Sequence, residues 1–240
     1  MEKDKKILLG IIGLILIVAI VIVIFVIKDN NKVVYTNDEI KFKEEYEALN
    51  NQGNNYNDKK YLELNIIDDN NIEYATEEEI AKILKDGSGV IYFGFPGCPW
   101  CRAMIAPLLE EASKNGINKV YYLNILDMRD AYKVENKKVL RTKEGSDSYY
   151  KILDSLSEYL KDYSITDAKG KEYATGVKRL YAPTVVMVKD GEVKAFHEDV
   201  VASLKDPYQG LTNEQDQELR NIFNDMISKY NGNICTKEGC

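Results

Sequence analysis

The stretch GFPGCPWCRAMIAP, residues 94–107, holds two of the chain's four cysteines, with a proline and the only tryptophan between them. The run leading into it, GVIYFGF at 89–95, is short, apolar and rich in β-branched and aromatic residues, the pattern of a buried strand. A helix is expected to start at Pro99, whose missing backbone N–H does no harm in a first turn. Cys98 therefore sits where a strand hands over to a helix. There its sulfur lies beside unpaired N–H groups and the positive end of the helix dipole, which favours the thiolate. Cys101, one turn later, is placed to attack a mixed disulfide formed at Cys98. Such a pair can exchange electrons with a disulfide in another protein.

Around this segment, strands and helices alternate from residue 61 onward, the mark of an α/β domain with a parallel or mixed sheet. YLELNII (61–67) and NIEYA (71–75) read as strands. ATEEEIAKILKDG (75–87) reads as a helix with Thr76 and Glu79 in capping-box register and Gly87 near its end. KVYYLNI (119–125) is the next strand. Residues 127 to 180 form a long excursion in which Tyr149, Ile152, Leu153, Leu156, Leu160 and Tyr163 recur at helical spacing. APTVVMV (182–188) and EVKAF (192–196) are expected to pair as a hairpin across Asp190-Gly191. A final helix spans 212–232, with Leu219, Ile222, Phe223, Met226 and Ile227 on its apolar side.

These elements resemble the thioredoxin superfamily, whose active site is strand, Cys-x-x-Cys, helix. MIAP (104–107) is similar to the family's kinked helix, with Pro107 one residue later than in typical thioredoxins. The Pro99-Trp100 dipeptide is similar to the proline-aromatic pair of glutaredoxins. YAPTVVMV (181–188) resembles the family's second motif, in which a cis proline, here Pro183, lies beside the cysteines. The resemblance implies that Ala182 pairs with an extended substrate segment, that Pro183 keeps metal from between the sulfurs, and that Trp100 and Pro99 contact substrate. It covers residues 61 to 230, and the overall arrangement is similar to membrane-anchored thioredoxin-like proteins of Gram-positive bacteria, bacteriocin transport accessory proteins among them. The expected fold is α/β and thioredoxin-like: a central mixed sheet flanked by helices, a helical insertion at 127–180, and one preceding transmembrane helix. Two departures stand out. The family's buried carboxylate, six residues before the first cysteine, is replaced by Tyr92, so Cys101 must exchange its proton through water or another group. The insertion is far longer than the family's usual link, and either shapes partner choice or is a packed decoration.

The N-terminal part has a different character. After a tail at 1–6, residues 7–27 carry no charged or strongly polar side chain, enough at about 1.5 Å per residue to span a hydrocarbon layer of about 30 Å. The run is longer than a signal peptide's apolar region and ends IVIFVIKDNN without the small residues of a cleavage site, which predicts an uncleaved anchor. Lysines flank it almost evenly. A short tail before a long folded domain is the usual signal-anchor arrangement, and it predicts a single-pass cytoplasmic-membrane protein with its C-terminal domain outside the cytoplasm. Residues 28–60 read as a stalk with one amphipathic helix through Phe42, Tyr46 and Leu49, followed by NNQGNNYNDKK, too polar to pack.

A net charge of −7 offers no basic stripe for a phosphate backbone, so nucleic acid is not expected as a partner. The expected partners are protein thiols or disulfides and a redox partner protein, with no cofactor and no metal. Cys98 and Cys101 have alternative uses, a structural disulfide or half of a zinc site with Cys235 and Cys240. Cys235 and Cys240, in the tail at 233–240, most simply close a small disulfide loop; a relay to Cys98 is the alternative. His197 invites a Cys-His hydrolase, but AFHED reads as a surface histidine among carboxylates, away from the cysteine end of the sheet. A tethered accessory or assembly module, with the cysteines as a clasp, is the competing function. Electron exchange requires the two sulfurs to reach solvent and Ala182 and Pro183 to lie beside them.

Overall fold

The computed structural model describes residues 37–54 and 57–232. The anchor at 7–27 and the tail with Cys235 and Cys240 lie outside them. Among the described residues, no helix is long and apolar enough to cross a membrane.

A five-stranded mixed sheet forms the centre, in the order β1-β3-β2-β8-β9. β1 (Ile72–Tyr74), β2 (Gly89–Gly94) and β3 (Val120–Asn124) run parallel; β8 (Thr184–Lys189) and β9 (Glu192–Glu198) run antiparallel to their neighbours. All six residues of β2 are buried, as its unbroken apolar run requires of a strand covered on both faces. Val90 and Tyr92 point to one layer, with α1 (Asn37–Glu47), α3 (Pro99–Lys114) and α5 (Asn213–Asn231). Ile91 and Phe93 point to the other, with α2 (Glu77–Asp86) and α4 (Asp147–Ser155). Thr76 and Glu79 form the expected capping box on α2, and Gly87 caps its end.

The β8-β9 turn is the one the sequence signals, with Asp190 at φ 53° and Gly191 at φ 75°. Gly191 also packs onto the end of α2: its N–H donates to Gly87 O at 2.8 Å, and a Cβ there would lie 2.4 Å from Lys85 O. Gly191→Ala therefore meets both a left-handed backbone and a backbone clash. It is expected to lower stability by about 2 kcal/mol or more, read as a lower urea midpoint at unchanged slope.

The sequence reading needs correction in three places. First, the helix at Phe42 and Tyr46 forms, but it is not part of a stalk. Both residues are fully buried in the layer that holds α3, so the folded unit extends at least to Asn37. Second, YLELNII joins no sheet: Tyr61 pairs through its backbone with Asn51 and Gln52, and side chains take backbone groups of Leu62, Leu64 and Ile66. Leu64 N–H donates to Asn50 Oδ1 at 2.9 Å and Ile66 N–H to Glu47 Oε1 at 2.8 Å, while Leu62 O accepts from Arg102. Third, the insertion is only partly helical. Its helix, α4, stops at Ser155, and hairpins flank it: β4 (Ala131–Glu135) with β5 (Lys138–Lys143), and β6 (Lys161–Thr166) with β7 (Glu172–Arg179). Tyr163, predicted on the helix, lies in β6 with Arg179 over its ring at 4.4 Å. Arg179 Nη1 also pairs with the buried Asp130 carboxylate at 2.6 Å, joining the ends of the excursion.

Candidate active site

Strand pairing assembles the site. β2 ends next to the start of β8, with Phe93 opposite Thr184, so the loop after β2 and the residues before Thr184 meet at one end of the sheet. Cys98 caps α3 in an extended conformation (φ −85°, ψ 115°), and its sulfur accepts the Cys101 N–H at 3.2 Å. This is the helix-end placement that the sequence predicts, and Pro99 is the first helical residue. Across the loop, Ala182 O lies 3.5 Å from Cys98 Sγ and accepts a hydrogen bond from the thiol. The Ala182-Pro183 peptide is cis. Cys98, Cys101, Ala182 and Pro183 are thus brought together.

Trp100 is half-buried against the core and lines a groove of about 390 Å³ together with Ala182, Tyr181, Glu198 and, from the insertion, Lys161 and Asp162. The insertion therefore supplies one wall of the groove beside the cysteine pair.

Both cysteines are free thiols, and the expectation that both sulfurs reach solvent is not met: Cys98 is 4% exposed and Cys101 0%. Burial pushes the Cys101 thiol well above its ordinary pKa, and the neighbouring Cys98 sulfur adds to the rise. The Phe95 backbone and the Tyr92 hydroxyl act in the opposite direction.

Tyr92 is fully buried. Its hydroxyl is 3.0 Å from that of Tyr46 on α1, and its ring stacks on Tyr122 at 5.6 Å. A Cβ at Gly94 would lie 2.4 Å from Tyr92 Oη, so only glycine leaves room for the hydroxyl at the end of β2. Burial raises the pKa of both tyrosines well above the usual phenol value.

Arg102 follows Cys101 and is 1% exposed. Its guanidinium donates to Tyr46 O (2.6 Å), Leu62 O (2.6 Å) and Asn50 Oδ1 (2.6 Å), tying α1 and the segment after it to α3. Arg129 Nε is buried without a hydrogen-bond partner among the described residues, and its guanidinium lies 5.6 Å from the Phe95 ring. Burial and the Arg179 charge lower the Arg129 pKa, while Cys98 acts to raise it. The sequence reading named none of Tyr46, Arg102 and Arg129 as site residues. Only the replacement of a carboxylate by Tyr92 signalled that other groups must surround Cys101.

His197 is half-buried. It lies in β9 opposite Val185, itself opposite Tyr92, and so near the cysteine end of the sheet. Its Nε2 is 2.8 Å from Val200 O, its ring meets Phe223 edge-on at 6.1 Å, and burial lowers its pKa. These contacts engage the ring in packing, with no hydrogen bond to either cysteine.

Comparisons with protein-family models, with curated proteins and with solved structures find no match to this chain.

Proposed function

We propose that this chain is a thiol-disulfide oxidoreductase of thioredoxin-like architecture, held at the cytoplasmic membrane by residues 7–27 with its folded domain outside the cytoplasm. Cys98 is the attacking nucleophile and Cys101 the resolving thiol, while Ala182, Pro183, Pro99 and Trp100 position the substrate segment. The observation that carries this reading is the pair of contacts on Cys98 Sγ, the Cys101 N–H at 3.2 Å on one side and Ala182 O at 3.5 Å on the other.

The chemistry balances as two exchanges. The Cys98 thiolate attacks one sulfur of a substrate disulfide, forms a mixed disulfide and releases the other sulfur as a thiolate. Cys101 then attacks Cys98 Sγ, closing the Cys98-Cys101 disulfide and releasing the second substrate thiol. The substrate gains two electrons and the protein loses them; a partner protein returns them. Run backward, the same steps oxidise a dithiol, and about 30 mV in the potential of the couple shifts the balance tenfold.

The test is turnover by the full chain in two assays, reduction of insulin disulfides with dithiothreitol and oxidative refolding of a reduced ribonuclease. Acceleration of either, lost in Cys98→Ser, supports the reading. No acceleration of either overturns it. The second reading, a non-catalytic accessory module that holds a secreted partner through the insertion, is favoured by the 4% exposure of Cys98. Full retention of cellular function by the Cys98→Ser, Cys101→Ser double variant would establish it.

A further inference from the structure

The groove beside the cysteine pair is charged, and its charges are unevenly satisfied. Among the described residues that line it, Asp162, Glu198 and Asp199 face a single cation, Lys161, while Trp100 and Tyr181 supply aromatic surface. Strand pairing fixes its place. Glu198 on β9 lies opposite Thr184 on β8, and the Asp199 N–H donates to Pro183 O at 2.9 Å. The groove also includes Ala182, whose carbonyl accepts from the Cys98 thiol, so a side chain seated there belongs to a segment close to the Cys98 sulfur.

Glu198 is the residue out of balance. Its side chain is only 8% exposed; Oε1 takes the Lys161 ammonium at 2.6 Å, while Oε2 is buried with no hydrogen-bond partner among the described residues. A buried carboxylate oxygen without a donor costs free energy. Lys161 gives little in return, because its side chain is 72% exposed and an ion pair with one end in water is weak.

We infer that Glu198 forms a subsite for an arginine side chain flanking the target cysteine of the substrate, and that Lys161 holds the carboxylate until the substrate displaces it. The inference rests on the oxidoreductase reading above and adds a substrate class to it, protein disulfides with a basic residue beside them. A guanidinium carries N–H groups in one plane at the spacing of a carboxylate's two oxygens, so it satisfies Oε1 and Oε2 together where the lysine ammonium satisfies one. Asp162 and Asp199 add negative potential, and the rings of Trp100 and Tyr181 favour a cation. A neutral or acidic side chain gains none of this. Lys161 opens β6, so the insertion itself supplies the residue that the substrate replaces.

The test uses the reduced full chain in detergent, carrying Cys235→Ser and Cys240→Ser, and two peptides. In each, single glycines separate a central cysteine from a flanking residue on either side, arginine in one peptide and its uncharged isostere citrulline in the other. The cysteine is held in a mixed disulfide with thionitrobenzoate. Attack by the Cys98 thiolate on the peptide sulfur breaks that disulfide and releases coloured thionitrobenzoate, and each rate is divided by that of the same peptide with dithiothreitol. The arginine peptide is expected to react about tenfold faster than the citrulline peptide, the scale of one charged hydrogen-bonded pair. In Glu198→Gln the ratio is expected to fall to about twofold or less, the share left to more distant charges. In Lys161→Met, which removes the competing ammonium and keeps the aliphatic stem, it is expected to rise about threefold. Lys161 is exposed, so this second variant answers the question if Glu198→Gln fails to fold. Equal Cys98-dependent rates for the two peptides, a preference that survives Glu198→Gln, or a ratio that Lys161→Met leaves unchanged or lowers, overturns the inference alone. Release from neither peptide above the Cys98→Ser background overturns the oxidoreductase reading, and this inference with it.

Discussion

Cys98→Ser is expected to reduce disulfide exchange to the uncatalysed rate, whereas Cys101→Ser attacks once and stays bonded to its substrate. The asymmetry follows from position. Cys98 caps α3, with its sulfur on the Cys101 N–H and beside Ala182, next to the groove lined by Trp100; Cys101 lies one turn deeper with no exposure. A hydroxyl at 98 cannot form the mixed disulfide at all. A hydroxyl at 101 leaves that first step intact and removes the one thiol that, among the described residues, is placed to resolve it. Non-reducing electrophoresis of the Cys101→Ser chain with a disulfide substrate should show a covalent adduct that dithiothreitol dissolves and that Cys98→Ser never forms. Equal adduct formation by the two variants would contradict this assignment of roles.

The second large effect is expected at Arg102. Arg102→Leu removes the donors that satisfy Tyr46 O, Leu62 O and Asn50 Oδ1 in a site where the arginine is 1% exposed. At about 1–3 kcal/mol for each buried acceptor left unpaired, a loss of about 1–3 kcal/mol is expected from Leu62 O, because Asn50 Oδ1 keeps its bond from Leu64 N–H and Tyr46 O its bond from Leu49 N–H. That is a large share of a typical stability of about 5–15 kcal/mol. Arg102→Lys is expected to recover only part of it, since an ammonium lacks the planar fork that reaches acceptors on two segments at once. Urea denaturation reads both values. A loss below about 1 kcal/mol for Arg102→Leu would mean that α1 docks through Phe42 and Tyr46 alone.

Much of the site was legible because its determinants are local. The apolar run at 89–94, the cysteine at its end and Pro99 one residue later are enough to place a sulfur at a helix start. Asp190-Gly191 is enough for the hairpin that brings Ala182 and Pro183 to the same end of the sheet. The remainder depended on partners far apart in sequence. Three apolar positions in NDEIKFKEEYEALN describe an amphipathic helix, but not that Tyr46 reaches Tyr92 or that Arg102 holds its carbonyl. YLELNII has a strand's composition, yet Asn50, Glu47 and Arg102 take its backbone groups before a neighbouring strand can. In the insertion, Leu156, Leu160 and Tyr163 continue the helical spacing by coincidence. The chain leaves the helix at Ser155 and pairs Lys161–Thr166 with β7, across a turn in which Asp167 Oδ1 accepts from the Lys169 and Lys171 N–H groups. His197 lies at the cysteine end because β9 returns antiparallel along β8, a consequence of the expected hairpin that the placement of AFHED away from that end overlooks.

Electron exchange at the cysteine pair is tested most directly by equilibrating the full chain with glutathione buffers of graded potential, quenching in acid, alkylating and mapping the disulfides by mass spectrometry. The expected result is one two-electron transition in which Cys98 and Cys101 are lost to alkylation together and recovered as a single linked peptide. Free thiols at both positions across the whole range, or glutathione adducts on Cys98 that Cys101 never displaces, would contradict it.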